Sequence, residues 1–310
     1  SAAFSAQAET LGVYFERPPS EERSASAGFY NSMAFTLKSK EHGLLCEDVN
    51  GDAFSEKCKE EVVAKAKSMG GEFDLVVYSL ASPRRTDPSG QKNYRACLKP
   101  IGSIYKNKTL DTDKKEVKEV VIEPASKEEI FNTKKVMGGE DWEMWTELLI
   151  KENVLAHGCK NMAYSYIGPG VTQPIYRNGT IGKAKEHLEE TGLQLDEKMK
   201  IKLNGRAFVS VNKAVVTQAS SAIPVVPLYL SMLIKIMRER GTHEGCIEQT
   251  TRLFSSFLYT DSPKVSIDLK NRIRLDDWEM DSAIQEKIIS LWPKVNSGNL
   301  NQMTDFEEYQ

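Results

Sequence analysis

Apolar runs and amphipathic stretches alternate along the N-terminal part of the chain. Apolar runs over Thr10–Glu16, Leu44–Val49 and Phe73–Ser82 predict strands that are buried on both faces, as strands of parallel sheets are. The segments between them, Tyr30–His42 and Ser55–Lys67, predict helices, and the second begins with a serine suited to cap it. This order of strand, helix and strand indicates an α/β fold with a parallel sheet.

Charged and turn-forming residues interrupt that pattern between positions 83 and 126, where Val117–Ile122 alternates apolar and polar residues. Such alternation is typical of a half-buried strand, so we expect an inserted segment with a small hairpin. Helices are then predicted over 127–136, 142–152, 180–190, 222–237, 243–259 and 281–292, and strands over 160–167 and 207–211. The chain, 1–310, therefore predicts one large domain with a Rossmann-like, doubly wound parallel sheet, the insertion at about 83–126 and extra C-terminal helices.

Composition argues against several classes of partner. Of the 310 residues, 40% are hydrophobic and 27% are charged, which is ordinary for a globular protein. The net charge of −3 offers no basic surface for nucleic acid or for an anionic membrane. The longest apolar stretch, Ala222–Met237, is too short to span a bilayer and contains Lys235 and two prolines. We interpret it as a buried helix reaching about residue 240, and we expect no nucleic-acid or membrane partner.

Cysteines and histidines form no pattern that indicates cross-links or metal binding. The five cysteines are scattered, with no closely spaced pair, and the four histidines are isolated. A disulfide framework and a metal site both require clustered ligands or regular spacings. We therefore expect free thiols in a reducing compartment and no bound metal.

The ends of the predicted strands carry candidate ligand-binding residues, because open parallel sheets bind ligands beyond the carboxyl ends of their strands. Glu16 is suited to accept hydrogen bonds from an adenosine ribose, which favours NAD over NADP, although a solvated carboxylate fits the position equally well. Asp52 and Ala53 could flank an adenine ring, or Asp52 could cap the next helix. Leu80 and Ala81 could admit a cofactor or could simply form a tight turn.

A glycine-rich grip for the cofactor's phosphates is not found in the chain. The best partial match, Gly168-Pro169-Gly170, has two glycines, but Gln173 stands in place of the third.

A neighbouring tyrosine and lysine would be chemically useful, because the ammonium strengthens the phenol as a donor to a developing enolate oxygen. Tyr176 and Lys185 are separated by eight residues, and Tyr105 and Lys114 have the same separation. Lys183 has a six-residue separation from Tyr176 and is a rival for the position of the lysine. Spacing alone leaves these pairs open, beside the alternative of a packed loop tyrosine and a surface lysine.

Long motifs along nearly the whole chain resemble the trans-2-enoyl-CoA reductases and the FabV-type enoyl-acyl-carrier-protein reductases. These motifs are YNSMAF (30–35), NGDAFS (50–55), DLVVYSLASP (74–83), LKPIG (98–102), VMGGEDWE (136–143), AYSYIGP (163–169), PIYRNGTIGKAKEHLE (174–189), VTQASSAIPVVPLY (216–229), HEGCIEQ (243–249) and DDWEM (276–280). They occur in order, which makes the resemblance specific.

The resemblance implies a role for each candidate residue. It implies that Tyr176 is the proton donor, that Lys185 contacts the cofactor and supports the tyrosine, and that Tyr166 contacts the substrate. It favours Lys185 over Lys183 and leaves the pair at 105 and 114 outside the motif. The implied cofactor-contacting residues are Phe15, Glu16, Asp52, Ala53, Leu80, Ala81, Lys185, Val215, Val216 and Thr217.

The implied reaction is the NADH-dependent reduction of a trans-2-enoyl thioester, carried by coenzyme A or by acyl carrier protein, in fatty acid biosynthesis. Two alternatives stay open: a ketoacyl-type NAD(P)H dehydrogenase, and a non-catalytic nucleotide-binding protein. We expect a monomer in the cytoplasm, or in a mitochondrion if the source is eukaryotic.

The resemblance also implies a strand and a glycine-rich turn ahead of Ser1. Such a turn cradles the cofactor's pyrophosphate at a helix N-terminus, and its strand belongs to the centre of the sheet. We therefore expect a chain that is truncated at its N-terminus, lacks this strand and turn, and binds NADH poorly on its own.

Overall fold

The structure is a computed structural model that describes residues 4, 6–80, 82–221, 223–260 and 264–310. Its strands are β1 (Thr10–Tyr14), β2 (Cys46–Asn50), β3 (Phe73–Tyr78), β4 (Arg84–Thr86), β5 (Asn93–Arg95), β6 (Tyr105–Asp111), β7 (Glu116–Ile122), β8 (Leu155–Ser165), β9 (Arg206–Val211) and β10 (Arg272–Arg274). Its helices are α1 (Ala27–Glu41), α2 (Glu56–Ser68), α3 (Lys127–Met137), α4 (Glu140–Lys151), α5 (Thr180–Leu203), α6 (Gln218–Ser221), α7 (Val226–Glu239), α8 (Cys246–Leu253), α9 (Ser282–Leu291), α10 (Leu300–Met303) and α11 (Phe306–Tyr309).

Two parallel sheets form the centre of the fold. The larger has the order β3, β8, β9, β10, and every neighbouring pair in it is parallel. The smaller consists of β1 and β2, also parallel. Within the described residues, β1 forms no ladder with β3, so the two sheets have facing edges. Helices connect successive parallel strands, as the sequence predicts for a doubly wound α/β fold.

The larger sheet is covered on both faces, because its side chains point alternately to the two sides. On one face, Ala163 and Val209 pack in the same core as the apolar residues of α4 and α5. On the other face, Met162 and Phe208 pack with Leu253 at the end of α8. Burial on both sides explains why β8 and β9 carry apolar side chains in consecutive positions, such as Met162 and Ala163 or Phe208 and Val209.

A further core surrounds α7, which is buried from Val226 to Met237. The hairpin β6–β7 and the helices α9 and α11 enclose it. The sequence predicted a helix from residue 222, but α7 begins at Val226. The reason is the preceding residue, Val225, whose φ of 73° is a left-handed conformation that β-branched residues rarely adopt. The chain therefore enters α7 through a sharp turn, with Pro227 in the first turn of the helix.

Several other boundaries differ from the predicted ones. Helix α5 was predicted to end at residue 190 but continues to Leu203, because its apolar face extends through the fully buried Leu195 and Met199. Asn204, in the left-handed conformation, ends the helix. The predicted cap of α2 is confirmed, since the Ser55 side chain accepts a hydrogen bond from the backbone amide of Cys58. The segment 83–126 contains two hairpins, β4–β5 and β6–β7, where one was expected.

Candidate active site

Tyr176 lies in a compact turn that leads directly into α5. Its amide donates to the Thr172 carbonyl over 2.9 Å, and its carbonyl accepts from the Gly182 amide over 2.9 Å. Glycine is required at 182 because an added Cβ would lie 1.9 Å from the carbonyl oxygen of Arg177. This junction fixes Tyr176 beside the first turns of the helix that carries Lys185.

Lys185 lines a cavity at the carboxyl ends of β3 and β8. Its ammonium donates to the Tyr164 carbonyl over 3.1 Å. The lining residues come from β3, from the end of α3, from β8 and from α5: Tyr78, Ser79, Leu80, Met137, Gly138, Tyr164, Lys185 and Leu188. The cavity thus lies where parallel sheets bind their ligands.

The two candidate lysines have different surroundings. Burial lowers the pKa of Lys185 to about 8, although the negative charge of Glu189 opposes part of this shift. Lys183, in contrast, is exposed and forms an ion pair of 2.8 Å with Glu186, three residues further along the helix. Lys185 can therefore act inside the cavity, whereas Lys183 is engaged at the surface.

Tyr166 and Tyr176 meet edge to face, with ring centroids 5.1 Å apart and ring planes at 88°. Burial raises the pKa of Tyr176 to about 12, and the negative charge of Glu279 contributes to the shift. Burial also raises the pKa of Tyr166 well above its usual value. Both phenols are therefore protonated near neutral pH and can act as hydrogen-bond donors.

A buried carboxylate, that of Glu279, lies behind these tyrosines and was not among the predicted site residues. Its Oε1 accepts hydrogen bonds from the hydroxyls of Tyr166, at 2.9 Å, and Tyr229, at 2.7 Å. Its Oε2 accepts from the Ala214 amide at 2.7 Å. The available signal was its place in the motif DDWEM, but a single carboxylate in a motif does not indicate which side chains it meets.

Glu16 follows β1 at the carboxyl end of the smaller sheet. Its backbone amide donates to Asn50 Oδ1 at 2.9 Å, and its carboxylate accepts from Ser26 Oγ at 2.5 Å. The carboxylate lies against Gly28 of α1, where an added Cβ would be 2.1 Å from Oε1. Phe15, beside it, is 79% exposed. The predicted ribose-binding carboxylate is thus held at the N-terminal turn of α1.

Asp52 and Ala53 follow β2 and form the turn before α2. Asp52 Oδ1 accepts from the Phe54 amide at 3.0 Å and so forms a turn, but the cap of α2 is Ser55 and not Asp52, the capping residue considered as the alternative to cofactor binding. The Ala53 carbonyl accepts from the Trp145 indole at 3.1 Å. Both residues nevertheless lie at the same sheet edge as Glu16.

The remaining cofactor candidates lie after the strands of the larger sheet. Leu80 lines the cavity beside Lys185, whereas Ala81 lies outside the described residues. Val215, Val216 and Thr217 follow β9 and are not lining residues of that cavity. Thr217 Oγ1 accepts from the Ser220 amide at 3.2 Å and so caps α6.

The rival pair at 105 and 114 does not form a site. Tyr105 is buried at the start of β6 and donates to the Val171 carbonyl at 2.5 Å. Lys114 lies in the turn beyond the other end of β6, where its amide donates to Asp111. The strand between them keeps the two side chains apart.

The described part of the chain offers neither a cluster of metal ligands nor a helix that could span a membrane. In those residues, no three His, Cys, Asp or Glu side chains are grouped so that they could hold a metal ion. Nor is any described helix both long enough and apolar enough to cross a bilayer.

Comparison with known proteins identifies the family. The family model described as the trans-2-enoyl-CoA reductase catalytic region matches residues 23–259. The chain belongs to the trans-2-enoyl-CoA reductase family. It is 51% identical over 310 residues to an enoyl-acyl-carrier-protein reductase (NADH) of Flavobacterium johnsoniae, covering 100% of this chain and 78% of that protein. A protein of the same name from Coxiella burnetii is 50% identical, with coverage of 100% and 76%.

A solved structure supports the same assignment and the Rossmann-like fold. The trans-2-enoyl-CoA reductase of Treponema denticola, in complex with NAD, superposes with a TM-score of 0.95 at 49% identity. The match covers 99% of this chain and 76% of that one. The resemblance and the fold class predicted from the sequence are thereby confirmed.

A second family model, described as the enoyl reductase FAD binding domain, matches residues 267–310 of this reductase. This segment contains one glycine, Gly298. None of its residues lines the cavity beside Lys185, and its buried side chains Ile284 and Ile288 pack in the core around α7. These residues do not fit a flavin site, so we derive no step through a flavin.

Proposed function

We propose that this reductase reduces trans-2-enoyl thioesters with NADH, and that Tyr176 and Lys185 are its catalytic residues. The observation that carries the proposal is the junction at Gly182, which holds a protonated phenol next to the helix that presents Lys185 to the cavity. Its relatives are named as NADH-dependent enoyl reductases. The expected role is in fatty acid biosynthesis.

The chain's own residues supply the electrostatics of the reaction. Reduction of the carbon–carbon double bond adds a hydride and a proton, and NADH supplies the hydride when it is bound. Negative charge then develops on the thioester oxygen as an enolate. Tyr176 donates a hydrogen bond to this oxygen and supplies the proton that converts the enolate into the saturated thioester, while the Lys185 ammonium stabilises the charge from the cavity wall. Tyr166, in contact with the Tyr176 ring, positions the substrate.

The residues at the sheet edges fit a dinucleotide. Leu80 and Lys185 line the cavity on the side of the larger sheet. Glu16, Asp52 and Ala53 lie at the carboxyl end of the smaller sheet, and Glu16 offers its carboxylate to ribose hydroxyls. We assign Phe15 and Val215, Val216 and Thr217 to the flanks of the same cofactor, with Ala81 following Leu80 along the chain.

We further propose that another parallel strand, from outside these 310 residues, belongs between β1 and β3. An apolar groove of about 930 Å³ runs along these strands. Leu11 and Val13 of β1 line one side, and Leu75 and Val77 of β3 line the other. A strand placed there would pair with both facing edges and join the two sheets into one. The glycine-rich turn expected for the cofactor's pyrophosphate would follow it.

A ketoacyl-type dehydrogenase would use a similar tyrosine, so the substrate is the deciding test. The proposal predicts NADH consumption with crotonyl-CoA or a longer enoyl-acyl-carrier-protein and none with the matching 3-ketoacyl thioesters. NADH consumption with the 3-ketoacyl thioesters and none with the enoyl thioesters would favour a ketoacyl-type dehydrogenase. No turnover with either class would favour a non-catalytic nucleotide-binding protein. Comparing the rates with coenzyme A and acyl-carrier-protein substrates would also establish which carrier is preferred.

The five free cysteines support placing the enzyme in the reducing cytoplasm.

A further inference from the structure

Glu279 is a fully buried carboxylate behind Tyr166 and Tyr229, outside the lining of the cavity beside Lys185. A buried charge is costly unless hydrogen bonds replace the water that it loses. Here both oxygens are engaged by donors, two phenols on Oε1 and a backbone amide on Oε2. Lys213, 3% exposed, adds positive charge nearby. An acceptor-only carboxylate therefore suits its surroundings.

The three donors differ in how firmly they are held. The Ala214 amide belongs to the backbone that leaves β9, and Tyr229 is fully buried on α7, where Gln285 also donates to its hydroxyl at 3.2 Å. Tyr166 lies in the loop after β8 and is only partly buried. The carboxylate therefore connects the backbone after β9 and helix α7 to Tyr166, whose ring contacts Tyr176.

We propose that Glu279 is a positioning residue for the reduction: it fixes the Tyr166 hydroxyl, and through the ring contact it holds the face that Tyr176 presents to the substrate. The inference rests on the proposed function. It goes beyond that function by giving a role to a residue outside the Tyr176–Lys185 pair. Among the described candidate residues, Glu279 hydrogen-bonds Tyr166, and its negative charge also raises the pKa of Tyr176, so it acts on the substrate through these tyrosines.

Glu279→Gln tests the link, because an amide has one oxygen to accept and one nitrogen that donates. In one orientation the amide nitrogen faces the hydroxyls of Tyr166 and Tyr229, and in the other it faces the Ala214 amide. In both cases a group that now donates to the carboxylate loses its acceptor. We expect kcat with crotonyl-CoA to fall by about tenfold to a hundredfold, as for other misplacements of a reacting group. The KM for NADH should change less than kcat, because Glu279 reaches the described cofactor candidates only through the Ala214 amide, one residue before Val215.

A double-mutant cycle with Tyr166→Phe separates positioning from general destabilisation. If Glu279 acts through the Tyr166 hydroxyl, the double variant has about the same kcat as the worse single variant. Asp196→Asn is the matched control, since Asp196 is also a buried carboxylate that accepts a backbone amide, that of Ala207 at 2.9 Å. It lies about three turns further along α5 from Lys185. Its effect on kcat should be independent of Tyr166→Phe.

Several results would overturn the inference while leaving the reductase function intact. One is a wild-type kcat in the Glu279→Gln enzyme. Another is a double variant whose loss in kcat equals the product of the losses in Glu279→Gln and Tyr166→Phe. If the glutamine variant does not fold, Glu279→Asp keeps the charge and withdraws it by one methylene, and wild-type kcat there would be equally decisive. If the wild-type enzyme reduces no enoyl thioester, the proposed function fails instead. In that case the same double-mutant cycle is measured on the free energy of unfolding. If the effects of Glu279→Gln and Tyr166→Phe on that free energy are additive, the proposed link between Glu279 and Tyr166 is refuted.

Discussion

Lys183 and Lys185 lie two positions apart on α5 but meet opposite environments. The first forms a surface ion pair with Glu186, of a kind that contributes about 0–1 kcal/mol. The second lines the cavity, and burial lowers its pKa to about 8. Side chains two residues apart on a helix point in different directions, so this contrast follows directly from helical geometry.

The lowered pKa of Lys185 predicts the pH dependence of the enzyme. The ammonium is present below a pH of about 8 and is lost as the pH rises through that value. We therefore expect kcat/KM to decline on the alkaline side with a midpoint near 8, since kcat/KM reports ionisations of the free enzyme.

Substitutions at the two lysines test this assignment. In Lys185→Arg, any remaining activity should lack the alkaline decline, because arginine stays charged throughout the range. Lys183→Met is the control and should keep the wild-type profile. An unchanged alkaline decline in Lys185→Arg would mean that another group causes it.

Among single residues, the sequence indicated those site residues that lie within one motif and missed one that meets the site from a distant part of the chain. Tyr176 and Lys185 lie within one continuous motif, so a resemblance can assign both. Glu279 meets Tyr166 across 113 positions of the chain. No local pattern records such a contact, because it depends on how β8 and the C-terminal segment pack together.

Among the secondary-structure elements, the junction between the Tyr176 turn and α5 constrains the site most strongly. An alanine Cβ at position 182 would lie 1.9 Å from the Arg177 carbonyl, and backbone atoms cannot yield as a flexible side chain can. We expect Gly182→Ala to destabilise the protein by about 1–3 kcal/mol, as overpacking does, and to lower kcat by moving Tyr176.

Gly170→Ala, in the loop that precedes Tyr176, provides the matched control. An added Cβ there meets no atom within 4 Å, so stability and kcat should both remain near wild type. Thermal unfolding and steady-state rates measure the two effects. If Gly182→Ala behaved like Gly170→Ala in both, the junction would not constrain Tyr176.

The predictability of elements depended on their length. Strands β3, β8 and β9 were found because each contains consecutive apolar residues over a length that is typical of a strand. Strand β10 has three residues, Arg272–Arg274, which is too short to show a period. The start of α7 was misplaced because the left-handed Val225 contradicts the preference of valine, and only the surrounding packing can impose it.

At the scale of the whole molecule, a groove separates the two sheets, because β1 and β3 are not paired with each other in the described part of the chain. Its walls are apolar strand residues of β1 and β3 and the buried side of α4, which is what a central strand requires around it. The chain spans 76–78% of the length of the curated relatives it matches. The sequence predicted a parallel sheet, but only the three-dimensional arrangement shows where an additional strand could pair.

We expect the 310-residue chain by itself to bind NADH at least about tenfold more weakly than a form that also carries the proposed additional strand and glycine turn. Losing even one hydrogen bond to a charged phosphate costs about 1.5–3 kcal/mol. Fluorescence titration with NADH measures both affinities, and thermal unfolding checks that the shorter form is folded. Equal affinities in two folded forms would refute the strand proposal.

The central claim, that Tyr176 assists reduction of an enoyl thioester by NADH, is tested most directly by initial rates of NADH oxidation with crotonyl-CoA. The comparison is between Tyr176→Phe and Tyr105→Phe, in a form that carries the preceding strand. Tyr176→Phe should lose about a hundredfold or more in kcat, the usual effect of removing one donor to a developing oxyanion. Tyr105→Phe loses a hydrogen bond to the Val171 carbonyl, to which Asn107 Nδ2 also donates at 3.2 Å, and should keep its rate. A Tyr176→Phe enzyme that oxidises NADH as fast as the wild type would contradict the account.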